Sequence, residues 1–241
     1  MASQASTNAA LTPLALPLFY NDIVPLSSVD HASWRIRPAG EAKFLRTQRH
    51  FPIIFSVGDN QVPLALMGLN EGINTFIDED GKASDNSIYI PAYVRRYPFL
   101  LAKLRPDSED LSLCFDPTTD TIGAFDDGEA LFDGDKPSEV VQRVLSFCEQ
   151  FEQAGLKTGQ FMAELAEHKL LMDGEVSIQQ EGVENPFVYR GFKMVDENKL
   201  RELRGDVLRK ITQNGILPLI YAHLFSLHLM REIFAIQVQQ G

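Results

Sequence analysis

The chain has 241 residues, 44% of them apolar, and a formal net charge of −11. That is enough apolar material for a substantial core, in one large domain or two closely packed ones. The acidic balance excludes general nucleic-acid binding, which needs concentrated Lys and Arg to neutralise phosphates.

Residues 1–15 are mostly Ala, Ser, Thr and Asn and predict a disordered tail. No Lys or Arg precedes the first apolar residues, and prolines interrupt the run from Leu11, which makes a poor secretory signal. No stretch approaches the roughly 20 uninterrupted apolar residues of a membrane helix. The expectation is a cytoplasmic protein with no membrane insertion. From Leu16 to Trp34 the prolines predict an extended arm over a core. Trp34 reads as its anchor, with ligand stacking as the alternative.

Ile53–Val57, the turn Gly58-Asp-Asn60 and Val62–Met67 predict two antiparallel strands, and Asn74–Ile77 a third. Next comes the densest polar-aromatic cluster in the chain, Ile88–Phe99, with three tyrosines and two adjacent arginines. Pro91 opens a short helix there and Pro98 stops it, so that Tyr93, Arg96 and Tyr97 share a face while Arg95 points elsewhere. Tyr and Arg supply much of the binding energy at protein surfaces. Tyr89, Tyr93, Arg95, Arg96 and Tyr97 are therefore candidate binding residues.

Phe99–Leu104 and Leu111–Phe115 predict a strand pair, and Asp116 to Pro137 an acidic loop. Calcium-loop spacing fails from Asp78, Asp116 and Asp126, so the loop predicts no metal. Charge is unevenly spread: five basic residues and one acidic lie between His31 and His50, against two basic and twelve acidic from Pro106 to Gln150. Arg95 and Arg96 could alternatively pair with acids of 107–135 as a purely structural tie.

Val140, Val144, Phe147, Cys148 and Phe151 recur at helical spacing after Pro137. Gly155 and Gly159 predict a break before a second segment carrying Phe161, Leu165 and Leu170-Leu-Met172. Glu175–Gln179 and Pro186–Val195 predict a hairpin, Asp196 an N-cap, and Asp206–Asn214 a helix ended by Gly215. From Pro218 to Ile233 the pattern is apolar nearly all round and predicts a buried central helix. Cys114 and Cys148 read as reduced core thiols, with a disulfide as the alternative.

Standard catalytic patterns are missing: no G-x-S-x-G, no H-E-x-x-H, no paired zinc cysteines, no glycine-rich nucleotide fingerprint. None of the five histidines has an acid two positions after it. His223 and Tyr221 read as a hydrogen-bonded core pair, with a catalytic base as the alternative. The expected cofactor complement is none.

Several strings resemble the bacterial SapC family: Tyr89-Ile-Pro-Ala-Tyr-Val-Arg-Arg-Tyr-Pro-Phe99, Leu113-Cys-Phe-Asp116, Leu131-Phe-Asp133, Gly191-Phe-Lys-Met-Val-Asp-Glu-Asn-Lys-Leu200 and Leu219-Ile-Tyr-Ala-His-Leu-Phe-Ser-Leu227. Where that family usually has Cys-Ile-Asp, this chain has Cys114-Phe-Asp116. The similarity runs from about Leu16 to Ile233. The family takes its name from a surface-layer locus, and its members tend to be encoded near TonB-dependent receptors, flavin-dependent tryptophan halogenases and cupin-like hydroxylases. The resemblance thus implies an accessory protein that binds a peptide, a receptor segment or one of those enzymes, with no catalytic residues to carry over.

The expected fold is α+β: an antiparallel sheet in the N-terminal half packed with a helical C-terminal half that contains a β-hairpin. One domain would span 16–236, with a subdivision into a β-rich 16–135 and an α-rich 136–236 as the alternative. The leading functional expectation is a non-catalytic protein binding a peptide or protein partner through the Tyr/Arg cluster. The first alternative is an enzyme whose pocket combines Tyr93, Arg96, Tyr221 and His223 to act on a small acid or peptide. The second is a surface-layer-associated structural protein.

Overall fold

The computed structural model describes residues 24–25, 34–36, 50–70, 73–76, 89, 91–107 and 110–240. The expected tail, most of the arm, the side chain of Trp34, most of the basic stretch 31–50, the turn at Asp78 and strand residues Ile88 and Ile90 lie outside the described residues. In chain order the strands are β1 (Val24–Pro25), β2 (Trp34–Ile36), β3 (Ile53–Phe55), β4 (Pro63–Ala65), β5 (Phe99–Lys103), β6 (Leu111–Phe115), β7 (Ile122–Ala124), β8 (Glu129–Ala130), β9 (Phe132–Asp133), β10 (Lys136–Pro137), β11 (Leu171–Ile178) and β12 (Phe187–Val195). The helices are α1 (Ala92–Arg96), α2 (Glu139–Glu167), α3 (Glu197–Arg201), α4 (Gly205–Gln213), α5 (Ile216–Ser226) and α6 (Leu229–Gln240). The fold is α+β, and among the described residues every sheet is antiparallel.

Two compact units emerge, and the last of the points at which the chain passes between them falls inside α2, between Lys157 and Thr158. One unit comprises Leu16–Lys43 and Ile90–Lys157. It holds the sheets β1-β6-β5 and β7-β2-β8 and the β9–β10 pair. The expected strand pair is present as β5–β6, running Phe99↔Phe115 to Lys103↔Leu111. Residues predicted as an acidic loop instead form β7 to β10, because Ile122, Leu131 and Phe132 are buried and draw the chain onto the core. That core also takes Phe99, Phe115, Val141 and Cys148. Asp116 is itself buried; its Oδ1 accepts from the Thr118 N–H and hydroxyl, closing the turn after β6.

The other unit comprises Phe44–Tyr89 and Thr158–Gly241, besides the first residues of the chain. Its sheet has the order β11-β12-β3-β4, so the C-terminal hairpin completes a sheet begun by β3 and β4. Residues expected as a third strand near Thr75 form a turn, with Thr75 donating to the Met67 carbonyl from both its N–H and its hydroxyl. Within the hairpin Gly174 sits opposite Phe192, whose ring lies where a Cβ would be, 2.2 Å away. Two clusters fill this unit, one around Ile54, Phe192 and Met230, the other around Phe55, Leu165 and Ile220.

Helix α2 runs unbroken through Gly155 and Gly159. Packing on both sides of the glycines outweighs their propensity cost, about 1 kcal/mol each. Two residues past the helix, Lys169 takes the left-handed region at φ 51°, with Lys169 N donating to Ala166 O and Leu170 N to Leu165 O. This is a Schellman stop, sealed by the buried pair Leu165 and Leu170. Leu171 and Met172, expected at the helix end, therefore start β11. Asp196 caps α3 as expected, its side chain accepting from Asn198 N and Lys199 N.

The apolar C-terminal stretch forms two helices, not one buried one. Gly215 takes φ 76° before α5, and the chain turns again at Leu227–His228. Only one side of α5 packs: Ile216, Ile220, His223 and Ser226 are buried, whereas Tyr221 is 43% and Phe225 70% exposed. Ile216–Gln239 is apolar and long enough to cross a membrane by length and composition alone, a test that core helices also pass.

Candidate functional site

The expected binding residues divide between the two units. Tyr93, Arg95, Arg96 and Tyr97 belong to the first, and Tyr89, Tyr221 and His223 to the second. Tyr89 is half-buried and engaged by a partner.

Helix α1 presents its arginines to α2. The Arg96 guanidinium lies 4.5 Å from the centroid of the Phe151 ring and 5.2 Å from that of Tyr93, with Nη1 3.5 Å from Glu152 Oε1. Its side chain is only 13% exposed. Arg95 sits 5.0 Å over Phe147, one turn earlier on α2. Phe147 and Phe151 are four positions apart, so they form one aromatic ridge along which two cations stack. For Arg96 the charge partner is thus Glu152 on α2 rather than the acidic 107–135 segment. Tyr93 turns the same way, 6.4 Å from Phe151, while Tyr97 is half exposed and Val94 beside it is 42% exposed. This cluster clamps α1 onto α2 and leaves chiefly Tyr97 at the surface.

The expected Tyr221–His223 pair does not form. Two positions on a helix are about 200° apart, so the side chains leave opposite faces. His223 is buried, and Val195 N–H donates to its Nε2 at 3.0 Å. Nε2 is therefore the bare nitrogen, and Nδ1–H donates to Ile53 O at 2.7 Å. Burial pushes the imidazole down to about 4, against the upward pull of the Ile53 carbonyl. Ser226 Oγ accepts from Ile53 N at 2.8 Å and donates to His223 O at 2.7 Å. The only ladder partners between β3 and β12 are Phe55 and Lys193. His223 thus bridges the two strands beside that single pair, and α5 satisfies both main-chain groups of Ile53. Both ring nitrogens are committed to the backbone, so neither is available to a substrate.

On the opposite side of α5, Tyr221 stacks on Phe225, centroids 5.6 Å apart at 28°. Pro218, three positions before Tyr221, shares that exposed face. Sequence reading named Tyr221 and missed Phe225; the four-residue spacing was the signal that joined them.

Among the described residues, one group has metal-ligand spacing: Glu164, Glu167 and His168, with ligand atoms within 4.8 Å of one another. Lys210 Nζ sits 3.0 and 3.2 Å from the two Glu164 carboxylate oxygens and already neutralises them. The arrangement is that of an ion pair between α4 and α2.

A family model, SapC, matches residues 26–233. No curated protein and no solved structure matches the chain at a significant level.

Proposed function

The chain belongs to the SapC family, and from that premise we propose that it is a non-catalytic accessory protein whose α5 face holds a short apolar segment of a partner protein. The observation that carries this reading is the stacked Tyr221–Phe225 pair, 43% and 70% exposed on a helix whose other side is anchored in the core. Rigid aromatic side chains give large contact area at little entropic cost, and α5 is held in place by the His223 and Ser226 bonds.

Area argues for a short segment rather than a second copy. At roughly 200 Å² per aromatic side chain, the exposed parts of Pro218, Tyr221 and Phe225 offer on the order of 300 Å². Two such faces together fall short of the roughly 1,000 Å² expected of a stable dimer. A segment with one or two apolar anchors fits that size. Engagement of His223 with the main chain supports the non-catalytic reading over a His-based enzyme. The partner classes that the family suggests are a TonB-dependent receptor segment, a tryptophan halogenase or a cupin-like hydroxylase.

Binding of purified soluble forms of these three candidates, followed by fluorescence anisotropy, tests the proposal. Phe225→Ser is expected to weaken the interaction at least tenfold. Wild-type affinity in both Phe225→Ser and Tyr221→Ser, or no binding by any of the three, overturns it.

A further inference from the structure

The middle of α2 differs from both its ends. Before it, Val141 and Cys148 pack in one core, and after it, Phe161 and Leu165 pack in another. Between them the five residues Gln153–Lys157 are all exposed, and Leu156 is 73% exposed. Gly155 and Gly159 lie in and beside this stretch, four positions apart. A Cβ at either would meet nothing within 4 Å. Steric need therefore does not explain these glycines, although each weakens a helix interior relative to Ala. One of the points at which the chain passes from one compact unit to the other also falls here.

We infer that residues 153–159 are a built-in weak point of α2, a local opening that unwinds about two turns of helix while the flanking turns stay folded. In most helices the packed face holds every turn. Thr158 is half-buried, and it and Ala154 each keep a contact, but 153–157 are exposed where propensity is lowest, so opening gives up little burial. Such a segment is also the natural entry for a protease, and Lys157 lies within it.

Hydrogen exchange of the full-length protein, read peptide by peptide, tests this. Amides of 153–159 are expected to exchange at least tenfold faster than those of 142–149 and 161–167. Gly155→Ala and Gly159→Ala should each slow the central segment about fivefold, and together about 25-fold, with the flanks unchanged. Ala154→Gly should speed it by a similar factor. Uniform protection along α2, or central exchange that does not respond to the alanine substitutions, overturns the inference.

Discussion

Removing His223 should cost the fold more than the loss of one side chain's burial, because both ring nitrogens bond the main chain. In His223→Ala, Val195 N–H loses its acceptor and Ile53 C=O its donor, in a site where the imidazole is 1% exposed. A buried group left unpaired costs about 1–3 kcal/mol. The ring also packs on Phe55 at 4.7 Å between centroids, and truncation empties that contact. The expected loss is about 3–5 kcal/mol, a large share of the 5–15 kcal/mol typical of a folded protein. Acid should reproduce part of it. Burial holds the folded-state value at about 4, below the ordinary 6.5. As pH falls through about 6.5, the unfolded chain takes up a proton that the folded chain refuses until about 4. Unfolding thus binds a proton in this window, and stability rises with pH across it, by about 3 kcal/mol in all. Above about 6.5 the full contribution is present; below about 4 it is gone. In His223→Gln the carboxamide can still donate to Ile53 O and accept from Val195 N, but it cannot titrate. Urea unfolding of wild type and His223→Gln at pH 4, 5, 6 and 7 should show the difference between them moving by about 3 kcal/mol in favour of wild type as pH rises. A difference flat within about 1 kcal/mol, or a His223→Ala protein as stable as wild type, would refute the reasoning.

Arg96→Ala removes two cation–π contacts and a loose ion pair, and should destabilise by about 1–2 kcal/mol in thermal or urea unfolding without weakening partner binding; a binding loss with unchanged stability would return Arg96 to the recognition surface. Gly174→Ala forces a Cβ to 2.2 Å from the buried Phe192 ring and should cost about 1–3 kcal/mol, measured the same way. Burial raises the Cys114 thiol, and raises that of Cys148 to about 11 against the pull of Arg96. Both should resist iodoacetamide at pH 8 in the native protein and react once it is unfolded, as mass spectrometry would show.

Local chemistry was legible wherever one segment carried its own signal. The spacing of Val140, Val144 and Cys148 marked α2, Asp196 marked the start of α3, and the alternation of Glu175–Gln179 marked the hairpin. Long-range placement was not. Nothing in the hairpin states that it will join β3, because any edge of suitable length could receive it. The arginines at 95 and 96 announced a cation surface, but their seats, Phe147 and Phe151, lie some 50 residues on. The all-apolar stretch from Pro218 implied burial because apolar residues usually face inward, yet exposure depends on how many neighbours pack around a helix, which composition does not encode. The Tyr221–His223 pairing was readable and misread: the helical angle alone separates them.

The recognition role assigned to α5 is tested most directly by titrating a purified candidate partner against wild type, Phe225→Ser and Arg96→Ala at a temperature where all three are folded. The account predicts at least a tenfold weaker Kd for Phe225→Ser and an unchanged Kd for Arg96→Ala. An unchanged Kd for Phe225→Ser beside a weakened one for Arg96→Ala would contradict it and return the binding surface to the Tyr/Arg cluster of α1.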